Sequence, residues 1–317
     1  MSARLVIEPW APSYGAPVDD DAFGEAAGPV DVDAEVRAAK WAPIRPSGAA
    51  ERGVVFVDGV LRVEARVVVT NDDGPPRQGI CASWAAGAVI AEDRATVADI
   101  RVGRGLFSPK VEGVESGITT SFGAFTHRSV SSDAEASLDW MLRRTMARDE
   151  AAVANAAAVA ARDASLVVVD GPLADHDDAE GLVGYVKSQH APYLPDELHP
   201  VVGDLAAGER TPLFRTGVGR WSWYLRLSAD AAYPWSGLAR LEVSEELEVA
   251  DAAAVADRVT LTLPRYASAP QKDPRAPQNL YPIGGLERML RHRLGDPALL
   301  HRSLRVAVAH GAARALA

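Results

Sequence analysis

LVVVDGPL, residues 166–173, is the most telling stretch of the sequence for its architecture. Four apolar residues, three of them valine, run without a polar break into Asp170-Gly171-Pro172. A continuous β-branched run of this length is the signature of a strand covered on both faces, as in the parallel part of an α/β sheet. It follows a long alanine-rich segment and precedes GLVGYVKS (181–188), which reads as a neighbouring strand. A second copy of the pattern lies upstream, where GVVFVDG (53–59) again ends an apolar run in Asp-Gly. Working outward, LRVEARVVVT (61–70) and CASWAAGAVI (81–90), separated by an Asp-Asp-Gly-Pro-Pro turn, make a three-strand meander with GVVFVD, and TVADIRV (96–102) adds more strand before a loop region. Ser131 to Arg162 reads as one long helix, opened by a capping box of Ser132 and Glu135.

Beyond Pro212, WSWYLRLS and GLARLEVS read as a further strand pair, and 283–294 and 297–316 as terminal helices. Residues 1–50, broken by Pro9, Pro12, Pro17, Pro29, Pro43 and Pro46, read as an irregular N-terminal arm, leaving 51–317 as the domain. The fold class expected is α/β: a mixed sheet flanked by helices.

Composition narrows the function. The chain of 317 residues has 48% hydrophobic and 24% charged residues, ordinary for a globular protein. It shows neither a spanning apolar segment nor a signal-peptide pattern, so a cytoplasmic protein without membrane contact is expected. The single cysteine, Cys81, excludes an internal disulfide and a thiolate zinc cluster. Oxygen ligands and hard divalent cations remain. A net charge of −10 argues against a protein that coats DNA unaided. The clusters Arg143, Arg144, Arg148 and Arg288, Arg291, His292, Arg293, His301, Arg302, Arg305 read first as solvated helix faces. No GxGxxG, Walker lysine loop, HExxH or GxSxG is present.

Asp58 and Asp170 are the residues with chemical promise. A lone Asp-Gly is most often a turn. Two matched copies, the second in Asp-Gly-Pro with no hairpin after it, favour two strand ends that project carboxylates into one crevice able to hold one or two divalent ions. Such ions stabilise the attacking and leaving oxygens of a phosphodiester displacement. A third acid is expected from the intervening helix. At about 100° per residue, Asp149 and Glu150 both fall within roughly 60° of the apolar stripe of Leu138, Leu142 and Thr145. A solvent-facing acid paired with Arg144 or Arg148 is an equal alternative for either.

The order of strand-Asp-Gly, antiparallel strands, helical acid and second strand-Asp-Gly, with GYVKS and the C-terminal DPRAPQNLYPIGGLE, resembles the NurA nuclease family over roughly residues 50–300. The resemblance implies a ribonuclease H-like core, cleavage of DNA dependent on Mn²⁺ or Mg²⁺, a homodimer, and partnership with the HerA hexameric ATPase that translocates DNA in end processing. It implies Asp58 and Asp170 as metal ligands, Glu150 as the helical acid with Asp149 in reserve, and Tyr281 of the Tyr-Pro pair as a site residue. The family's helix histidine is missing from GGLERMLRH; Asp273, Glu287 or His292 would replace it, with Asp273 favoured for its irregular, Pro-rich setting. Lys187, just after the strand beside Asp170, reads either as a surface lysine at a strand end, the commoner case, or as a point charge that holds a phosphate. Trp221, Trp223, Tyr224 and Trp235 offer stacking surfaces for bases, but the alternation of WSWYLRL favours core or interface roles. Two rival readings are an inactive assembly subunit of the same fold and an actin-like or sugar-kinase-like phosphotransferase.

Overall fold

The computed structural model describes residues 4–7, 29–70, 74–111, 113–161, 164–173, 181–187, 193–229, 237–269, 271–273 and 275–315. An 11-stranded mixed sheet with helices on both faces forms the molecule. The strands are β1 (Arg4–Ile7), β2 (Gly53–Thr70), β3 (Arg77–Ala91), β4 (Ala95–Pro109), β5 (Ile118–Thr120), β6 (Gly123–Val130), β7 (Ala164–Asp170), β8 (Leu182–Val186), β9 (Phe214–Thr216), β10 (Arg220–Arg226) and β11 (Leu238–Ser244). The helices are α1 (Glu135–Ala160), α2 (His199–Gly203), α3 (Val249–Thr262), α4 (Tyr281–Leu294) and α5 (Pro297–Ala315).

The spatial order is β5-β6-β4-β3-β2-β7-β8-β11-β10-β9, with β1 paired to the far half of β2. β2, β3 and β4 form the expected antiparallel meander. After α1 the chain returns as β7 and then β8, both parallel to β2. LVVVD and its neighbour therefore occupy the middle of the sheet, which accounts for their unbroken apolar character. The pair β10 and β11 extends the sheet as an antiparallel hairpin, also as expected.

Two layers of core sandwich the centre. On one face Val54, Phe56, Leu166, Val168 and Tyr185 pack with Ala252, Ala256 and Val259 of α3 and Ile283 of α4. On the other, Val55, Val57 and Val169 pack with Val153, Ala154 and Ala157 of α1. A fully buried valine or leucine contributes about 1.5–3 kcal/mol, so these alternating rows hold the parallel centre together. Trp223 and Tyr224 are core residues, and Trp221, packed on the core, donates its indole N–H to the Leu247 carbonyl. Trp235 lies outside the described residues.

Three local expectations are corrected. Gly53 to Thr70 is one strand of 18 residues, so Asp58-Gly59 neither ends a strand nor makes a turn. The α1 N-cap is Ala134, without a side-chain cap; Ser132 Oγ accepts from the Ala134 N–H, and Glu135 pairs with Arg66 instead of reaching back. α3, where the sequence reading assigns no helix, carries Ala252, Ala256 and Val259 at helical spacing, a pattern muted by small side chains.

Part of the N-terminal segment is integral to the structure. β1 pairs with β2, and Glu35 accepts from both terminal nitrogens of the buried Arg210, whose Nε bonds Asp257 at 2.7 Å. Among the described residues no helix is long and apolar enough to cross a membrane.

Candidate active site

Strand register sets the geometry. Val57 pairs with Val169 in the parallel ladder between β2 and β7, and one step further along both strands stand Asp58 and Asp170. Because side chains alternate with period two, both carboxylates emerge on the face of Val54, Phe56 and Val168, toward α3 and α4. The strand β7 then stops. Gly171 takes φ +102°, a conformation that disfavours a side chain, and its N–H bonds the Tyr185 carbonyl at 2.8 Å. Glu242 Oε1 accepts from the Leu173 N–H at 2.6 Å and Arg220 donates to the Leu173 carbonyl at 3.2 Å. The turn after Asp170 is thus clamped from β11 and β10.

Asp58 is 5% exposed, and the side chain of Asp170 is 15% exposed. The Lys187 ammonium, just past β8 and on the same face, donates to Asp170 Oδ2 at 2.6 Å. Asp58 Oδ2 and Asp170 Oδ1 are buried without a hydrogen-bond partner among the described residues. Burial, followed by the neighbouring Asp170 charge, pushes the Asp58 carboxyl well above its ordinary range, with Lys187 opposing and Glu150 and Glu287 reinforcing the rise. Burial also raises Asp170, against the charge and hydrogen bond of Lys187.

Glu150 approaches from the opposite side of β2. It is 4% exposed, on the inward face of α1, and lies directly over Gly59. A Cβ on Gly59 would collide with the Glu150 carboxylate and with Met146 Sδ at 2.9 Å. The glycine therefore serves close helix approach. Asp149, the reserve acid, accepts from Trp84 Nε1 at 2.7 Å and stands 3.9 Å from Arg101.

The C-terminal residues join at a second remove. Asn279, fully buried, accepts from the Lys187 ammonium through Oδ1 at 3.2 Å and donates through Nδ2 to Asp273 Oδ2. Asp273 Oδ1 accepts from the Arg275 N–H at 2.8 Å, so both Asp273 oxygens are engaged by the protein. Burial works against its charge, but these donors and the Arg275 guanidinium hold its carboxyl below the ordinary value. Glu287, on α4, accepts from Arg275 at 2.6 Å and from Arg291 at 3.0 Å, and this pairing outweighs burial to hold it low. His292 is exposed in the last turn of α4. Tyr281 is 41% exposed; its hydroxyl accepts from the Ala269 N–H at 3.1 Å, and Lys272 lies over its ring.

The fold thus brings together Asp58, Asp170 and Lys187 on one face, with Glu150 across the strand and Asp273 behind Asn279. Two adjacent carboxylates, each with a buried oxygen lacking a donor among the described residues, are suited to a hard divalent cation. Among the described residues no group of three or more His, Cys, Asp or Glu forms a metal-ligand cluster, in keeping with the arrival of Glu150 from the opposite face. Asn279 was not anticipated from sequence. It sits in PQNLYP without periodicity or paired motif to mark it.

No protein-family model matches the sequence, and no curated protein matches it. Among solved structures the chain is similar to the NurA nuclease from Sulfolobus solfataricus, at 10% identity, over 80% of this chain and 84% of that one, with a TM-score of 0.44.

Proposed function

We propose that this chain is a metal-dependent deoxyribonuclease with a ribonuclease H-like core, and that Asp58 and Asp170 hold Mn²⁺ or Mg²⁺ with Glu150 as the third acid. The observation that carries the reading is the side-by-side placement of Asp58 and Asp170 on parallel strands, each with a buried oxygen lacking a donor among the described residues. The strand order β4-β3-β2-β7-β8, an antiparallel meander followed by two strands parallel to its first, supports the core assignment. When bound, the cation supplies an activated water and neutralises charge on the phosphodiester. The aspartates bind and orient it; Lys187 holds charge balance at Asp170 and stands where a phosphate oxygen can take over its ammonium. Tyr281, at the start of α4, enters as a site residue on the motif resemblance.

The net charge of −10 supports delivery of DNA by a partner. That partner, on the motif resemblance, is a HerA-type hexameric translocase, and the working unit a cytoplasmic homodimer. The test is digestion of linear DNA with Mn²⁺ or Mg²⁺, with and without the hexamer. Asp58→Asn and Asp170→Asn each lower the rate about 100-fold or more. DNA left intact in all conditions, or cleavage indifferent to both substitutions, overturns the reading.

A second reading, an assembly subunit without activity, is favoured by the Lys187–Asp170 pair, in which an internal cation already balances one carboxylate. Carboxylate-dependent Mn²⁺ binding, read by electron paramagnetic resonance, excludes it.

A further inference from the structure

Behind the carboxylate pair lies a chain of hydrogen bonds that donates from Lys187 through Asn279 to Asp273, which accepts from both sides. Lys187 Nζ donates to Asp170 Oδ2 and to Asn279 Oδ1; Asn279 Nδ2 donates to Asp273 Oδ2; Asp273 Oδ1 accepts from the Arg275 N–H. An ammonium has only donors, so whichever end of an amide faces Lys187 must be the oxygen. An ionised carboxylate has only acceptors, so the end facing Asp273 must be the nitrogen. The two charged neighbours impose the same orientation on Asn279, and turning the amide over would break both contacts at once. Asn279 and Asp273 are buried, and Gly284 of α4 leaves room for the amide: a Cβ there would stand 2.8 Å from Asn279 Nδ2 and 3.3 Å from Asp273 Oδ2. Arg275, bonded to Glu287 at 2.6 Å, ties the far end of the chain to α4.

We propose that Asp273 and Asn279 are positioning residues for Lys187: Asp273 fixes the amide of Asn279, whose carbonyl oxygen holds the ammonium beside Asp170 at the height of the carboxylate pair. Their part in the reaction rests on the nuclease reading; their hold on Lys187 does not. Asp273 acts here through Asn279, its own oxygens being filled by protein donors. Loss of the orientation lets the lysine swing on its four-carbon stem toward solvent.

The hold on Lys187 is read first in metal-free protein, by competitive acetylation with acetic anhydride and mass spectrometry, using Lys40 and Lys110 as internal references. Asn279→Ala and Asp273→Asn raise the labelling of Lys187 about threefold or more while the references stay level, because each removes a charge-assisted bond or its orienting acceptor. The double variant Asp273→Asn with Asn279→Asp reverses the polarity of the chain. The carboxylate introduced at position 279 then accepts both from Lys187 and from the amide introduced at position 273, whose oxygen still accepts from the Arg275 N–H, so labelling returns toward the wild-type level. In DNA cleavage the two single variants lower kcat about tenfold with little change in KM, and the double variant recovers most of it.

Unchanged Lys187 labelling in both single variants overturns the proposal, as does a double variant no better than the singles. If the single variants behave as described but wild-type protein shows no Asp58-dependent cleavage, the positioning stands and the nuclease reading falls. A uniform rise at Lys40, Lys110 and Lys187 reports general loosening, and it too overturns the specific role.

Discussion

Gly59 lies beneath the carboxylate of Glu150, so closely that a side chain there and the acid cannot coexist without movement. The dipeptide Asp58-Gly59 thus serves two faces of one strand. Asp58 points to the α3 and α4 side and takes its place beside Asp170, while Gly59 makes room on the α1 side for Glu150.

Gly59→Ala consequently forces α1 outward or expels Glu150 from its buried position. Overpacking of this kind costs about 1–3 kcal/mol. Chemical denaturation reads the loss, and Mn²⁺-dependent cleavage falls with it. A variant as stable as the wild type would show that α1 yields at little cost.

Asp58→Asn is predicted to stabilise the metal-free protein at neutral pH while lowering the cleavage rate about 100-fold or more. The sign follows from protonation. The carboxyls of Asp58 and Asp170 are raised above their ordinary value of 3.8 by folding, so the native state binds more protons than the unfolded one. Their contribution is complete below about pH 4 and is lost as pH rises through the folded values. Removing the charge at position 58 relieves part of that loss, so Tm at neutral pH rises by about a few degrees. Melting in EDTA across pH 4 to 7 checks it: the wild-type profile should fall relative to that of Asp58→Asn.

Lys187→Met acts in the opposite direction on the same carboxylates. It leaves Asp170 without its counter-charge in a site 15% exposed, at a cost of about 1–3 kcal/mol in metal-free protein. Mn²⁺ then restores more stability to this variant than to the wild type, because the added cation replaces the missing ammonium. Thermal shifts with and without Mn²⁺ measure the difference, and equal shifts would contradict it.

Glu150→Gln separates ligation from packing. The amide keeps the volume over Gly59, so stability changes little, whereas Mn²⁺ affinity drops about 10- to 100-fold if the acid reaches the ion directly or through water. Electron paramagnetic resonance titration gives the affinity. An unchanged value would leave Glu150 a packing residue.

Much of the architecture was legible because it is written in local pattern. The run LVVVD marks a strand covered on both faces, WSWYLRL and GLARLEVS mark a strand pair, and the expected bounds of α1, α4 and α5 fall within a few residues of the observed ones. α3 escaped because its core side is built of alanine, which buries well and signals little. Asp58 and Asp170 stand side by side as the matched Asp-Gly pattern leads one to expect, and Glu150 faces inward, whereas helical periodicity alone leaves Asp149 and Glu150 equal. Asn279 was not legible, since nothing in PQNLYP distinguishes a buried amide from a loop residue.

Local pattern is enough to set two acidic residues after two β-branched runs and to assign such runs to the middle of a sheet. What each Asp-Gly does depends on contacts made by distant parts of the chain. After Asp170 the strand ends, because Gly171 adopts a positive φ and the next turn is held at Leu173 by Arg220 and Glu242, 47 and 69 residues further along the chain. After Asp58 the strand continues to Thr70, because β3 pairs it along its whole length and α1 needs the missing Cβ of Gly59. The same two letters end one strand and admit a helix to another, and the difference lies in neighbours that no local window contains.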